Sequence, residues 1–171
     1  TRQEDIYSLT IQSHEAAVSS LKPGKSFKEV YFDTARVIVE GLKDLNLMKG
    51  DVEDAIQSGA HAMFFPCGLG HQMGLDVHDM EDLGEEYVGY DGEAKSTQFG
   101  LKSLRLGKTL KEGMVLTIEP GIYFIPTLID LWKSQNINRD YINYDKLDTY
   151  KNFGGIRNEE NFVITADSYK L

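Results

Sequence analysis

Two histidines seven residues apart, His71 and His78, are the first side chains in the sequence that could do chemistry. Glycines precede His71, and the short run Leu75–Val77 leads to His78, so we predict a turn followed by a strand. Such a segment directs both imidazoles from a rigid backbone into a cleft. The alternative is that both histidines are ordinary surface residues in a loop.

Two glutamates later in the chain favour a site over that alternative. Glu119 follows the predicted strand Met114–Ile118, and the proline after it keeps Glu119 extended. Glu159 shares one face with Arg157 on a predicted last strand over Ile156–Thr165, which begins after two glycines. Taken singly, each glutamate could instead be a strand-face carboxylate paired with a lysine or arginine.

Taken together, the imidazole of His71 and the carboxylates of Glu119 and Glu159 suit divalent ions such as manganese, cobalt, zinc or iron. Each glutamate has two oxygens and can bridge two ions about 3.5–4 Å apart. A dinuclear site lowers the pKa of a bridging water, so that hydroxide can attack a carbonyl polarised by one metal. His78 and Arg157 would stand nearby, facing the ligands or the substrate.

Composition narrows the class of protein that could carry such a site. The 171 residues fit one domain, and 18 basic against 27 acidic residues give a net charge of −9. This balance argues against nucleic-acid or anionic-membrane partners. One cysteine, Cys67, excludes an internal disulfide and fits a reducing compartment, so we expect a cytoplasmic protein. No apolar run reaches the roughly 18 residues that cross a bilayer.

Two amphipathic helices should support the site from the first quarter of the chain. The pattern predicts one helix over residues 4–21 and a second that opens with a capping box at Ser26 and Glu29. Asp51 should cap a short third helix that runs to Gln57. Helices of this kind pack on a sheet, which predicts an α+β domain.

The remaining segments connect these elements to the glutamates. The sequence predicts that His61–Pro66 is a buried, strand-like run that leads into the histidine segment. It predicts that residues 79–100 form an acidic surface loop. Residues 124–151 are predicted to form an insertion with short helices over Pro126–Trp132 and Tyr141–Tyr150. Because this insertion is rich in aromatic residues, we interpret it as a folded flap or a dimer contact.

Three segments of this sequence, 68–79, 113–123 and 154–159, resemble in their order and spacing the pita-bread metallopeptidases, which include methionine aminopeptidase, aminopeptidase P and prolidase. Within this family the sequence is most similar to prolidase (Xaa-Pro dipeptidase) and aminopeptidase P. The segment 100–105, residues 122–125 and the helical insertion at 124–151 resemble prolidase in particular. The resemblance extends over nearly the whole chain.

The resemblance implies an α+β fold, the C-terminal half of the pita-bread (creatinase/aminopeptidase) fold, with an antiparallel sheet covered by helices. It implies a metal-dependent exopeptidase that hydrolyses Xaa-Pro bonds through a metal-activated water, as a dipeptidase or an aminopeptidase. Two divalent ions would be the cofactors, Mn²⁺ first, with Co²⁺, Zn²⁺ or Fe²⁺ as alternatives. Proline-containing di- or oligopeptides would be the substrates, and the intact enzyme would be a homodimer.

Residue roles follow from the same resemblance. His71 would bind one of the two metals, and Glu119 would bind a metal and shuttle a proton from the nucleophilic water. Glu159 would bridge the metal pair. These three residues are the predicted metal ligands.

Three further residues would contact the substrate or orient the ligands. His78 would hydrogen-bond the substrate carbonyl or the tetrahedral intermediate. Arg157 would orient the glutamate and the substrate near the metals, which makes it catalytic together with His78 and Glu119. Arg105 would bind the carboxylate of a C-terminal proline, a role that its planar guanidinium suits. The alternative for Arg105 is an exposed loop arginine.

The sequence departs from the family pattern at three places. Cys67 stands where a histidine is usual, and a thiol needs a lowered pKa to serve as a proton partner. Asn158 takes a position that is usually aliphatic. The hairpin that carries two aspartate ligands in the family is absent, so we expect residues 1–171 to be a C-terminal portion truncated at its N-terminal side. Such a portion would be inactive alone.

Two other functions share this scaffold. Some pita-bread domains have lost metal ligands and serve as non-catalytic peptide-binding modules, although the retained His71, Glu119 and Glu159 argue against that here. A non-peptidase hydrolase is the second alternative, because a scaffold does not fix its chemistry.

Overall fold

The computed structural model describes residues 1–171 and combines six α-helices with five short strands. The helices are α1 (Arg2–Ser20), α2 (Phe27–Asp44), α3 (Val52–Gln57), α4 (Glu85–Val88), α5 (Pro126–Ser134) and α6 (Tyr144–Leu147). The strands are β1 (Val115–Ile118), β2 (Gly121–Phe124), β3 (Gly154–Arg157), β4 (Glu160–Ile164) and β5 (Tyr169–Lys170). No helix combines the length and the apolar content that spanning a bilayer requires.

Helices α1 and α2 confirm the predicted helical pair. The capping box is present at the start of α2, where the Ser26 hydroxyl accepts the backbone N–H of Glu29 and the Glu29 carboxylate accepts that of Ser26. The two helices cross closely, because a Cβ on Gly41 would lie 2.2 Å from a methyl of Leu9. The predicted cap of α3 is also present, with Asp51 accepting two backbone N–H groups of the first turn.

The strands form two small antiparallel sheets, β1-β4-β5 and β2-β3. Ile118 pairs with Glu160 in the first sheet, and Gly121 pairs with Arg157 in the second. The predicted single strand over Ile156–Thr165 is therefore wrong. The chain leaves one sheet and joins the other between Arg157 and Glu160, so Glu119 and Glu159 lie opposite each other where both strands change sheets.

The segment before the histidines is helical, which corrects the predicted strand-like run His61–Pro66. Ala60–Met63 form a 3₁₀ helix, in which the His61 carbonyl accepts the N–H groups of Phe64 and Phe65 at 3.0 and 2.9 Å. The burial was predicted correctly, because His61, Phe64 and Phe65 are all buried. An apolar run this short does not distinguish a strand from a buried helical turn.

The predicted strand over Leu75–Val77 is also wrong, since these residues form a bend with exposed side chains. The Gly74 N–H donates to the Asp76 carbonyl at 3.2 Å, and the Asp79 carboxyl fills the space beside Gly74. The strand-like pairing instead lies earlier, over residues 69–73, which run antiparallel to β1.

Residues 124–151 fold onto the core of the domain. Helices α5 and α6 have the predicted character, and Phe124 stacks on Tyr150 with ring centroids 4.8 Å apart. The side chains of Trp132 and Leu147 are buried in the same hydrophobic core as the apolar side chains of helices α1 and α2. The segment thus supports β2 and β3, which lead to Glu119 and Arg157.

We predict that acid weakens the fold through His61. Burial lowers the pKa of His61 to about 4, and the ring contacts the Tyr31 hydroxyl at 2.9 Å. An unfolded histidine has a pKa near 6.5, so this stabilisation is complete above about pH 6.5 and is lost as pH falls towards 4. We expect the free energy of unfolding to fall by about 3 kcal/mol over this range.

Urea unfolding at several pH values checks this prediction against the variant His61→Gln, which stays neutral. Acidic groups titrate in both proteins, so the difference between their pH profiles isolates His61. Parallel profiles for the two proteins would contradict the prediction.

Candidate metal centre

His71 is positioned by the backbone pairing of residues 69–73 with β1. The Thr117 N–H donates to the His71 carbonyl at 2.9 Å, and the Glu119 N–H donates to the Leu69 carbonyl at 2.8 Å. The two segments approach so closely at Gly70 that a Cβ there would lie 2.0 Å from the Thr117 carbonyl oxygen. Only glycine fits this position, which explains one of the glycines before His71.

Thr117 joins the two predicted ligands, a role that the sequence analysis did not assign. Its hydroxyl accepts the His71 backbone N–H at 3.0 Å and donates to Glu119 Oε1 at 3.0 Å. The signal was available, because alternation along β1 puts Thr117 and Glu119 on the same face two residues apart. The hydroxyl thereby fixes both the backbone of one ligand and the carboxylate of the other.

His71 and Glu119 meet directly, with 3.3 Å between His71 Nε2 and Glu119 Oε1. The hydrogen bond to Glu119 raises the pKa of His71 more than burial lowers it. Burial raises the pKa of Glu119, but hydrogen bonds from His71 and Thr117 outweigh burial and lower it overall. Both shifts favour the charged forms, so Glu119 is a carboxylate at neutral pH.

Arg157 links the two glutamates. Its guanidinium lies 3.3 Å from Glu119 Oε2 through Nη1 and 3.1 Å from Glu159 Oε2 through Nη2. The Glu159 side chain is 41% exposed and does not line the cleft around His71. It borders the neighbouring groove between α1 and β4. The structure therefore brings His71 and Glu119 into contact and connects Glu159 to them through Arg157.

The predicted substrate-facing residues lie in one cleft with His71 and Glu119. The lining of this cleft includes His78, Arg105, Arg157 and Cys67. The rings of His71 and His78 are edge to face, with centroids 4.4 Å apart. The cleft has a volume of about 250 Å³, which is below the roughly 300–1,000 Å³ of drug-sized ligand sites. The cleft therefore accommodates only part of a peptide.

Cys67 and Arg105, for which the sequence left alternatives open, lie in different surroundings within the cleft. Partial burial raises the pKa of the Cys67 thiol more than nearby Arg157 lowers it, so Cys67 is a neutral thiol. Arg105 is not a free loop arginine, because its Nη1 hydrogen-bonds His78 Nδ1 at 3.0 Å and also the Glu81 carboxylate. Sequence reasoning missed Glu81, which looked like one of many charges in an acidic loop.

The spacing of His71 and Glu119 matches that of two ligands on one divalent ion. Two ligands about 2.1 Å from one ion lie roughly 3.0–3.4 Å apart at ordinary coordination angles, and the 3.3 Å between His71 and Glu119 falls in this range. No three His, Cys, Asp or Glu side chains of the chain are grouped closely enough to hold an ion by themselves. The pair thus fits a metal in kind and spacing, and supplies part of a coordination shell.

Removing the Thr117 hydroxyl should loosen this pair. In the variant Thr117→Val, the buried His71 N–H loses its acceptor and Glu119 loses a hydrogen bond, so we expect about 2 kcal/mol lower stability. We also expect the pKa of Glu119 to rise. Chemical denaturation and an NMR titration of the carboxyl measure the two effects.

The matched control is Thr34→Val. Thr34 is equally buried, but its hydroxyl donates to the Val30 carbonyl within α2, which already serves the helix. We expect a smaller loss and no change at Glu119. Equal losses in the two variants would show that Thr117 has no special role.

An imidazole and a carboxylate that meet beside paired strand ends are ligand types that metal-dependent hydrolases use. The comparisons with known proteins give the family. The chain belongs to metallopeptidase family M24, which matches residues 1–166. The predicted α+β pita-bread fold is confirmed, with the chain covering the C-terminal part of the aminopeptidase P fold.

The relatives are Xaa-Pro peptidases. The Xaa-Pro dipeptidase of Rattus norvegicus is 37% identical over 99% of this chain and 33% of its own length. A probable Xaa-Pro aminopeptidase of Sclerotinia sclerotiorum is 36% identical over 96% of this chain and 29% of its own length. An alanine variant of Escherichia coli aminopeptidase P superposes with a TM-score of 0.68 and 33% identity, covering 98% of this chain and 30% of that one. The chain spans about a third of the length of the curated relatives it matches.

Proposed function

We propose that this chain supplies part of the active centre of a metal-dependent exopeptidase that hydrolyses Xaa-Pro bonds. The observation that carries the proposal is the contact between His71 and Glu119 inside a cleft that His78 and two arginines also line. Membership of family M24 and relatives named Xaa-Pro dipeptidase and Xaa-Pro aminopeptidase support it.

Under this proposal, His71, Glu119 and Glu159 would hold divalent ions, manganese being our first candidate. The metal would polarise the scissile carbonyl and lower the pKa of a bound water. Arg157 contacts the carboxylates of both Glu119 and Glu159 through its two terminal nitrogens and so links them. The same contact limits the repulsion between two negative charges before any cation is bound.

Glu119 and His78 would perform the proton transfer and the charge stabilisation. Glu119 is ionised near neutral pH, so its carboxylate can accept a proton from the attacking water. It then delivers this proton to the proline nitrogen as the imide bond breaks. The half-exposed ring of His78 lies beside His71, where it can hydrogen-bond the carbonyl oxygen as negative charge develops there.

The chain by itself should have no measurable activity, since its own side chains do not complete a metal site. The test is a chimaera in which the 171 residues replace the aligned segment of E. coli aminopeptidase P. With Mn²⁺ added, we expect the chimaera to release the first residue from Xaa-Pro peptides, and the isolated chain to release none. Circular dichroism and size-exclusion chromatography establish that the chimaera is folded.

A folded chimaera that binds proline peptides without cleaving them would overturn the proposal and favour a peptide-binding module. Comparing Xaa-Pro with Xaa-Pro-Yaa substrates in the same assay distinguishes a dipeptidase from an aminopeptidase.

A further inference from the structure

Arg105 is the cleft residue best suited to bind the carboxylate of a C-terminal proline, but a carboxylate of the chain already contacts it. Glu81 accepts a hydrogen bond from Arg105 Nη1, and His78 Nδ1 lies 3.0 Å from the same nitrogen. The Glu81 side chain is only 17% exposed, whereas that of Arg105 is 40% exposed and lines the cleft. The positive charge of Arg105 is therefore already paired with a carboxylate of the chain.

The turn that carries Glu81 holds this contact in place. Glu81 begins a 3₁₀ helix, Glu81–Leu83, that follows Met80 in the left-handed conformation and is closed by the hydrogen bond from Leu83 N–H to the Met80 carbonyl. This turn fixes the backbone position of Glu81, and its mostly buried side chain reaches Arg105 from there.

A substrate carboxylate that binds Arg105 would be repelled by the negative charge of Glu81. It could displace Glu81, which would leave a mostly buried carboxylate without its partner. It could instead bind the remaining N–H groups of the guanidinium, with the charge of Glu81 close by on the same group. A neutral peptide carbonyl at this place accepts the same N–H groups without a like charge opposing it.

We propose that Glu81 determines specificity by disfavouring a free carboxylate after proline, so that the cleft prefers peptides that continue beyond the proline. This inference rests on the proposed function for the identity of the substrate. Glu81 acts through Arg105 and is not a catalytic residue.

The test compares the binding of N-acetyl-L-proline and its methylamide by the 171-residue chain, followed by NMR chemical shifts without added metal. In the variant Glu81→Gln, we expect N-acetyl-L-proline to bind about tenfold more tightly, the effect of removing one like charge from a partly exposed site. Binding of the methylamide should change less than about twofold. Adding Arg105→Gln to this variant should abolish the gain.

Asp82→Asn is the matched control, because it removes one negative charge from the same turn without touching Arg105. We expect it to leave both affinities unchanged. Unchanged or weaker binding of N-acetyl-L-proline by Glu81→Gln, or no binding of either compound by any variant, would overturn the inference. Neither probe needs to be cleaved, so inactivity of the chimaera would contradict the proposed function and leave this result intact.

Discussion

Replacing Glu119 by glutamine should lower the turnover of Xaa-Pro substrates by the chimaera by a factor of about 10²–10⁴. The amide keeps the size of the side chain but cannot accept the proton of the attacking water, and it is a weaker metal ligand. It also removes the negative charge that His71 and Arg157 face. Steady-state kinetics with saturating Mn²⁺ separate the loss in kcat from a loss in substrate binding.

The control for this substitution is Glu112→Gln, an exposed carboxylate on the turn before β1 that makes no ion pair. We expect it to retain the activity of the unmodified chimaera. If Glu119→Gln were as active as Glu112→Gln, the carboxylate at position 119 would take no part in the reaction.

Gly70→Ala should cost more than about 3 kcal/mol of unfolding free energy, a large share of the total for a domain of this size. The added Cβ would lie 2.0 Å from the Thr117 carbonyl oxygen and 2.8 Å from the carbonyl carbon, and these backbone atoms cannot rotate away as the end of a flexible side chain could. Separating the two segments would also break the bond from the His71 N–H to the Thr117 hydroxyl. We therefore expect unfolding at lower urea concentration together with altered NMR shifts of His71.

Gly113→Ala provides the comparison. Gly113 has a φ of +86°, but nothing lies within 4 Å of an added Cβ, so only backbone strain of about 1 kcal/mol applies. The His71 shifts should not change in this variant. If Gly70→Ala were no more destabilised than Gly113→Ala, the close approach at Gly70 would not hold His71 in place.

Local signals in the sequence predicted the helices well. The capping box at Ser26 and the apolar period that follows specify α2 without reference to the rest of the chain. Alternation over Met114–Ile118 similarly predicted β1 and the direction of Glu119. Where the local sequence and the tertiary packing agree, a pattern is enough.

The errors arose where particular side-chain and strand-pairing contacts, and not a periodic pattern, decide the conformation. The bend at residues 75–77 depends on how Asp79 packs on Gly74, and the break between β3 and β4 depends on pairing with two different strands. Neither contact leaves a periodic pattern. The ion pair between Glu81 and Arg105 joins positions 24 residues apart, so one charge in an acidic loop could not be singled out.

The site itself was predictable in part because its residues differ from what a core would use. A carboxylate after a β-branched strand and a histidine after a run of glycines suit a ligand site better than a packed interior. The role of Thr117 was harder to predict from the sequence, because threonine is common in strands for reasons of packing alone.

The account depends most on His71 and Glu119 binding the same cation, and Mn²⁺ binding to the chain tests this directly. Paramagnetic broadening in NMR spectra should begin at residues 70–72 and 117–119, and the variants His71→Ala and Glu119→Gln should each weaken Mn²⁺ binding by at least about tenfold. If the broadening centred elsewhere, or if both variants bound Mn²⁺ as the unmodified chain does, these residues would not form a metal centre.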